Sequence, residues 1–392
     1  MSESTLDFTD TITAFADKTD SELKEKYRLF RLLNSPALNA FGTRAARLAL
    51  SWRLPVEGLI KGTIFTQFCG GETIEESQNT IDRLAKAHIG TILDYSVEGH
   101  TTEAEFDETK DEIIKTINRA KADPNIPFSV FKVSGIAPLS TLEIMCQKKK
   151  LDAKNQKESE RIYGRVEEIC AAAYSVSQPT FIDAEETWIQ DAIDEMATEM
   201  MKKYNRERPI IFNTLQLYRK DRLQFLKDSF ESAKNGGYFL GVKLVRGAYL
   251  EKERERALDM GYDSPVHASK AATDADYDAA LLFCLNHHDE IAFVAGTHNE
   301  KSTALLVNEM QARNIRPDHP NIHFSQLYGM SDNLSYVLGK NGYNVTKYVP
   351  YGPVRHAVPY LIRRAEENSA VTGQMSRELE LINAEMRRRQ IS

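Results

Sequence analysis

Over residues 1–90 the apolar positions recur with a helical period, whereas further along they gather into short runs. In the first part, Ser21 is placed to cap a helix carrying Leu23, Tyr27 and Phe30, and Ala45–Leu50 continues an amphipathic pattern. Gly70 and Gly71 then break the chain ahead of a predicted helix from Ile74 to Ala87, with Ile81, Leu84 and Ala87 apolar. Beyond residue 90, apolar runs alternate with longer helical stretches. The first four runs are Thr91–Val97, Phe128–Ser134, Thr180–Asp183 and Ile210–Leu215. Phe239–Arg246, Ile291–Ala295, Ile322–Gln326 and Asn344–Val349 follow. Apolar runs separated by helices predict parallel strands joined by crossovers, and eight in succession predict a closed (βα)₈ barrel rather than an open sheet. The expected organisation is a helical arm over 1–90 and a barrel with C-terminal helices over 91–392.

In such a barrel the strand C-termini and the loops after them form the active-site face. Polar groups recur at that end of the runs. Lys132 sits inside an otherwise apolar run, Asp183 ends the third and leads into Ala184-Glu185-Glu186, and Gln216 follows the fourth. Arg246-Gly247 ends the fifth, Thr297-His298-Asn299 follows the sixth, Gln326 ends the seventh, and Tyr348 lies near the end of the eighth. Each has an ordinary structural explanation: a strand lysine can snorkel outward, and a strand-end aspartate can cap the next helix. Their recurrence on seven strands at one end predicts a buried polar site.

Two stretches carry more specific chemistry. Val242–Tyr249 bears two cations, Lys243 and Arg246, on an apolar background and then turns at Gly247-Ala248. Small residues permit close backbone approach, and cations balance a phosphate or a reduced, anionic ring system. No Gly-x-Gly-x-x-Gly follows a strand, and no Gly-x-x-x-x-Gly-Lys-Ser/Thr loop occurs. The second stretch is Tyr348–Pro353 followed by His356–Asn368, where Pro353 suits a helix start. There Arg363 and Glu367 stand four apart beside Arg364. Two guanidinium groups held by a carboxylate form a clamp for a substrate carboxylate; a solvated charged helix face explains the spacing equally well.

Composition narrows the field. With 50 Lys+Arg against 57 Asp+Glu, the 392-residue chain carries a formal charge of −7 and offers no chain-wide positive field for nucleic acid. Its start is acidic and lacks an apolar stretch, so neither a secretory leader nor a transit peptide is expected, and no run approaches the ~20 apolar residues of a membrane span. Cys69, Cys146, Cys170 and Cys284 are scattered without metal-ligand spacing, so small buried apolar roles and an intracellular, cytoplasmic setting are expected, with no metal. The charge-rich stretch Gln147–Arg161 reads as a solvated loop or helix face.

The Leu244-Val-Arg-Gly-Ala-Tyr-Leu250 run, Thr297-His298-Asn299 and Tyr360–Asn368 together closely resemble the proline dehydrogenases, flavin-dependent first enzymes of proline catabolism. Phe181–Glu186 and Gln326–Met330 fit the same pattern, and the ordered resemblance runs from about Gly70 to Ser369. It implies a distorted (βα)₈ barrel holding FAD non-covalently, with a final helix over the barrel mouth. It also implies oxidation of L-proline to Δ¹-pyrroline-5-carboxylate, with electrons passed to a membrane quinone. By resemblance, Arg363, Arg364 and Glu367 clamp the substrate, and Lys132, Asp183, Leu327 and Tyr348 line its pocket. Lys132, Asp183 and Lys243 stand as the catalytic set, Asp183 as a partner of a cation rather than a base. The FAD set is Gln216, Lys243, Val245, Arg246, Gly247 and Ala248, together with Tyr249, Thr297 and His298.

One departure stands out. Many bacterial members read Arg-Leu-Val-Lys-Gly-Ala-Tyr, whereas here Lys243 and Arg246 have exchanged places, which puts their flavin contacts in question because the two cations differ in hydrogen-bond geometry. Relatives preferring hydroxyproline carry a smaller residue at Tyr348, so Tyr348 favours proline. With 392 residues, a stand-alone enzyme without the second dehydrogenase of the bifunctional relatives is expected. Contact with the inner-membrane surface points to Leu48–Ile60, with Trp52, or to Arg387-Arg388-Arg389, although barrel packing and a helix C-terminus explain these more simply. Competing readings are a hydroxyproline dehydrogenase, a Schiff-base aldolase using Lys132 or Lys243, and an amino-acid-binding protein without turnover.

Overall fold

The computed structural model describes residues 6–34, 57–97, 100–147, 150–370 and 374–391, the side chains of 57, 59, 363–370, 374 and 375 excepted. Eight parallel strands close into one barrel in sequence order. They are β1 (Ile89–Tyr95), β2 (Phe128–Phe131), β3 (Thr180–Ile182) and β4 (Ile211–Gln216), then β5 (Leu240–Val245), β6 (Ile291–Gly296), β7 (Ile322–Leu327) and β8 (Val345–Tyr351). Helices connect them, as the alternation predicts. By compactness the chain divides into two units, one of 1–98, 298–300 and 326–392 and the other of 99–297 and 301–325.

In the second unit, alternation along each strand decides what enters the barrel. Phe128, Val130 and Lys132 share one parity, as do Phe181 with Asp183 and Phe212 with Thr214 and Gln216. The lower positions form an aromatic plug: Phe128 stacks on Phe181 at 4.7 Å, and Phe212 and His323 meet Phe128 edge-on at 5.7 and 4.8 Å. Burial pushes the His323 imidazole down to about 4, so it packs as a neutral ring. Gly241 makes room, since a Cβ there would stand 2.7 Å from the Ile211 carbonyl and 2.9 Å from the Phe212 ring. Above the plug the same alternation delivers polar residues, Thr214 pairing in register with Lys243 and Gln216 with Val245.

The first unit holds β1 and β8, paired from Ile89↔Val345 to Tyr95↔Tyr351. Its apolar cluster joins Phe15, Phe30 and Phe68 to Tyr360, Leu361, Leu381 and Ile382. The first long helix, Asp20–Leu33, is capped by Thr19 rather than Ser21. Thr19 Oγ1 accepts the Glu22 N–H at 3.3 Å, and Glu22 accepts the Thr19 N–H at 2.8 Å, a capping box that Ser21 lacks the spacing to make. The helix expected from Ile74 begins at Gln78 instead, because Thr73–Ser77 forms turns closed by Ser77 Oγ donating to the Thr73 carbonyl at 2.9 Å. Ala45–Leu50 and residues 48–56 of the Leu48–Ile60 stretch lie outside the described residues. The charge-rich Gln147–Arg161 stretch enters the helix Ala153–Ser175. No helix among the described residues is long and apolar enough to cross a membrane.

Candidate active site

In the second unit the ends of β2 to β6 bring their polar residues together. Lys132 leaves β2 just before a single 3₁₀ turn at Val133–Gly135, and its ammonium lies 3.4 Å from Asp183 Oδ2. Asp183 Oδ1 accepts from the buried Lys243 ammonium, and Thr214 Oγ1 stands 3.3 Å from it. Asp183 thus faces two cations. Lys243 also lies 4.9 Å above the Phe181 ring, so the plug and the polar layer are in direct contact.

Glu185, two residues beyond Asp183, is 3% exposed. It accepts the Ser134 N–H at 2.9 Å and the Ser134 hydroxyl proton. Burial pushes its carboxyl up to about 7, although both bonds from Ser134 favour the charged form. Gln216 at the end of β4 donates to the Glu185 carbonyl at 2.7 Å, and its own oxygen accepts the Ala248 N–H at 3.1 Å. One polar chain therefore runs across the ends of β2, β3, β4 and β5.

Beyond β5, Gly247 has φ +134°, and a Cβ there would stand 2.5 Å from the Tyr218 ring. Only glycine fits this turn. Arg246 points elsewhere: its guanidinium donates to Asp274 at 2.6 Å, to Thr297 Oγ1 at 2.6 Å and to Ser302 Oγ at 2.9 Å. It also lies 4.2 Å over the buried Tyr277 ring. The two exchanged cations consequently have different surroundings, Lys243 with Asp183 and Arg246 in a cage of protein groups. The Val245 carbonyl accepts the Leu217 N–H at 2.8 Å, and Tyr249 caps the helix Leu250–Met260.

The first unit holds the remaining candidates. His298 Nδ1 is 2.9 Å from Ser331 Oγ, Leu327 packs on the apolar cluster, and Tyr348 is 8% exposed. Gln326 accepts from Ser335 Oγ at 2.8 Å. Arg363, Arg364 and Glu367 fall on the helix Val354–Ala370, but their side chains lie outside the described residues. Arg388 and Arg389 both grip Glu385, at 2.7 and 2.6 Å, and Arg389 also donates to the Phe15 carbonyl at 2.8 Å. They act within the protein as helix-end ties.

Sequence reasoning missed a second ion cluster in this unit. Asp332 meets Lys26 at 2.7 Å and Lys347 at 3.0 Å, with Glu378 buried alongside. Burial opposes its charge, yet the two ammonium groups hold the Asp332 carboxyl well below the usual range. Burial pushes Lys347 down and Glu378 up. Lys347, inside β8, could have been found by the reasoning that singled out Lys132; Lys26 and Glu378 carry no local signal. The same unit contains a cavity of about 1180 Å³ bordered by Leu29, Leu33, Ile64, Leu361, Arg83 and Asp332, and none of the described candidates lines it. Among the described residues, the group that could hold a metal ion is His288, Asp289 and His319, with ligand atoms within 4.8 Å. It precedes β6 and β7, at the strand ends opposite the polar layer, and its aspartate is 84% exposed.

A proline dehydrogenase family model matches residues 77–377. The carbapenem antibiotics biosynthesis protein CarD of Pectobacterium carotovorum subsp. carotovorum is 34% identical, over 85% of this chain and 86% of that one. The mitochondrial proline dehydrogenase 1 of Dictyostelium discoideum is 32% identical, over 97% of this chain and 74% of its own length. Among solved structures, proline utilization A from Bdellovibrio bacteriovorus inactivated by N-propargylglycine superposes with a TM-score of 0.72. It is 20% identical, a likeness of fold, and the match covers 93% of this chain. The chain spans only 39% of that protein's length.

Proposed function

This chain belongs to the proline dehydrogenase family, and from that membership we propose that it oxidises L-proline to Δ¹-pyrroline-5-carboxylate, with FAD as its cofactor and a quinone as final electron acceptor. The single observation that supports the reading beyond the family match is the Lys132–Asp183–Lys243 group at the strand ends. Two ammonium groups gathered on one carboxylate suit a cofactor that becomes anionic on reduction.

The residues present fit FAD. Lys243 and the Gln216 amide lie beside a tight turn at Gly247, φ +134°, followed by the small Ala248, a donor set that suits an anionic, ring-bearing cofactor. FAD, when bound, would accept hydride from the proline carbon next to nitrogen. Lys243, Gln216, Val245, Gly247, Ala248, Tyr249, Thr297 and His298 would hold it. Arg246 is engaged with Asp274, Thr297 and Ser302, so its contribution is to fix Thr297 and the β5 turn.

By resemblance to the family, Lys132, Asp183, Leu327 and Tyr348 remain the residues proposed for contact with proline, and Arg363, Arg364 and Glu367 those proposed for its carboxylate. Asp183 is committed to two lysines and is poorly placed as a base. Proton loss from the proline nitrogen would therefore precede hydride transfer, and turnover should fall at low pH. Fixing the substrate in a near-attack pose is worth about 7–11 kcal/mol in favourable cases. Delivery of electrons to a quinone implies peripheral contact of an intracellular enzyme with a membrane surface.

The visible spectrum of the purified protein tests the reading. A flavin spectrum that bleaches when L-proline is added without oxygen, and much less with hydroxyproline, is expected. A flavin that stays oxidised with proline would overturn the substrate. A colourless protein that takes up no FAD would favour a Schiff-base aldolase at Lys132 or Lys243.

A further inference from the structure

We propose that Glu185 is a positioning residue for proline oxidation, tying the β2 and β3 ends together so that Lys132 and Asp183 keep their mutual placement; this rests on the reading above. Lys132 is two residues before Ser134, and Asp183 is two residues before Glu185. The Glu185–Ser134 tie therefore runs beside the 3.4 Å Lys132–Asp183 pair and joins the same two chain segments. It also fixes the 3₁₀ turn at Val133–Gly135, which begins directly after Lys132.

Glu185 is held from every side. Its N–H donates to Gln190 Oε1 at 2.7 Å, and Gln190 donates to Asp194 at 2.9 Å. Asp194 is anchored in turn by Arg222 at 2.5 Å, while the Glu185 carbonyl takes the Gln216 amide at 2.7 Å. None of these backbone and amide bonds needs an acid at this position. A glutamine could accept the Ser134 N–H through its oxygen and donate to the Ser134 hydroxyl through its amide. What the carboxyl adds is a charge that can be present or absent. Burial holds it near neutrality at about 7, so both forms exist in the working range of pH.

The groups that act on it are Ser134 and Lys132 from the β2 side and Glu186 on its own loop, the last engaged with Lys252 at 2.9 Å. Lys132 and both Ser134 bonds favour the ionised form; Glu186 opposes it. When ionised, Glu185 accepts both Ser134 protons. When protonated, one oxygen becomes a donor, the Ser134 hydroxyl must turn to accept from it, and both bonds to Ser134 lose the strength that the charge gave them. The ionised form is thus the one that holds the turn after Lys132 most tightly.

The test is kcat and KM for proline across about pH 5.5 to 9 in wild type, Glu185→Gln and Ser134→Ala, with the flavin spectrum recorded for each. Wild-type kcat should show a limb rising near pH 7. Glu185→Gln should keep its flavin and a near-normal KM, lose the limb near pH 7 while keeping any fall set by the proline nitrogen, and turn over roughly tenfold more slowly at high pH, in line with a small misplacement near the chemistry. Ser134→Ala removes a bond to the ionised form and should move the limb to higher pH. The proposal is overturned if Glu185→Gln keeps the limb at its wild-type position, or if it is slower only through KM with the limb intact. Should Glu185→Gln fail to fold, Ser134→Ala decides, and an unmoved limb overturns the proposal. A wild type that does not oxidise proline overturns the functional reading itself, and that result is visible before any variant is made.

Discussion

Lys132 Nζ stands 3.4 Å from Asp183 Oδ2, while the other oxygen of the same carboxylate is taken by Lys243. The three side chains come from β2, β3 and β5, and all are less than one-fifth exposed. Asp183→Asn would remove the carboxylate that the two ammonium groups share. Removing one partner of a buried pair costs about 3–5 kcal/mol, and that loss is expected in denaturant unfolding. Lys243→Met leaves the Lys132–Asp183 pair in place and should cost clearly less. Equal losses in the two variants would show that Asp183 does not bridge the lysines.

Gly247 offers a steric test. A methyl group there meets the Tyr218 ring at 2.5 Å, and φ is +134°. Gly247→Ala should destabilise the protein by roughly 1–3 kcal/mol and lower the amount of FAD that copurifies. Tyr218→Ala in the same background relieves the clash but not the strain, so it should restore only part of both. Complete restoration would assign the effect to sterics alone.

The barrel was legible because buried parallel strands read as apolar runs, and because the inward parity that carries Phe128 and Phe181 also carries Lys132 and Asp183. The strand ends shifted where local geometry intervened. His88, with φ +57°, ends the preceding helical segment, so β1 starts at Ile89 rather than Thr91. Lys132 turns into a 3₁₀ segment, so β2 stops at Phe131. The Lys132, Asp183 and Lys243 grouping follows from register and could be anticipated. Arg246 could not, because its partners Asp274 and Ser302 lie on later helices and reverse what its neighbourhood in sequence suggests. The Lys26–Asp332 pair, 306 residues apart, leaves no trace in either local pattern.

That pair and Lys347 form a graded series. Asp332→Asn strands two buried ammonium groups and should cost about 3–5 kcal/mol, whereas Lys347→Met leaves Lys26–Asp332 intact. Because burial opposes the Lys347 charge, its removal should cost clearly less than the loss of Asp332. Thermal unfolding at pH near 7 orders the two. A Lys347→Met variant as damaged as Asp332→Asn would mean that the lysine, not the aspartate, organises the cluster.

Glu185 makes a stability prediction that is separate from turnover. Its carboxyl lies at about 7 in the folded chain and at 4.5 when unperturbed. Between those values the folded state holds a proton that the unfolded state has released, so stability falls as pH rises from about 4.5 and levels off above about 7. The gap corresponds to about 3 kcal/mol, an upper figure because relaxation around the buried acid will reduce it. Glu185→Gln keeps the Ser134 bonds without an ionisable proton. It should match wild type in stability near pH 4 and exceed it by up to that amount near pH 8. Denaturant midpoints at the two pH values measure the difference. A constant offset between the proteins would mean that Glu185 does not titrate on unfolding, whereas a gap that opens only at high pH would show that the buried acid costs stability where its charge is present.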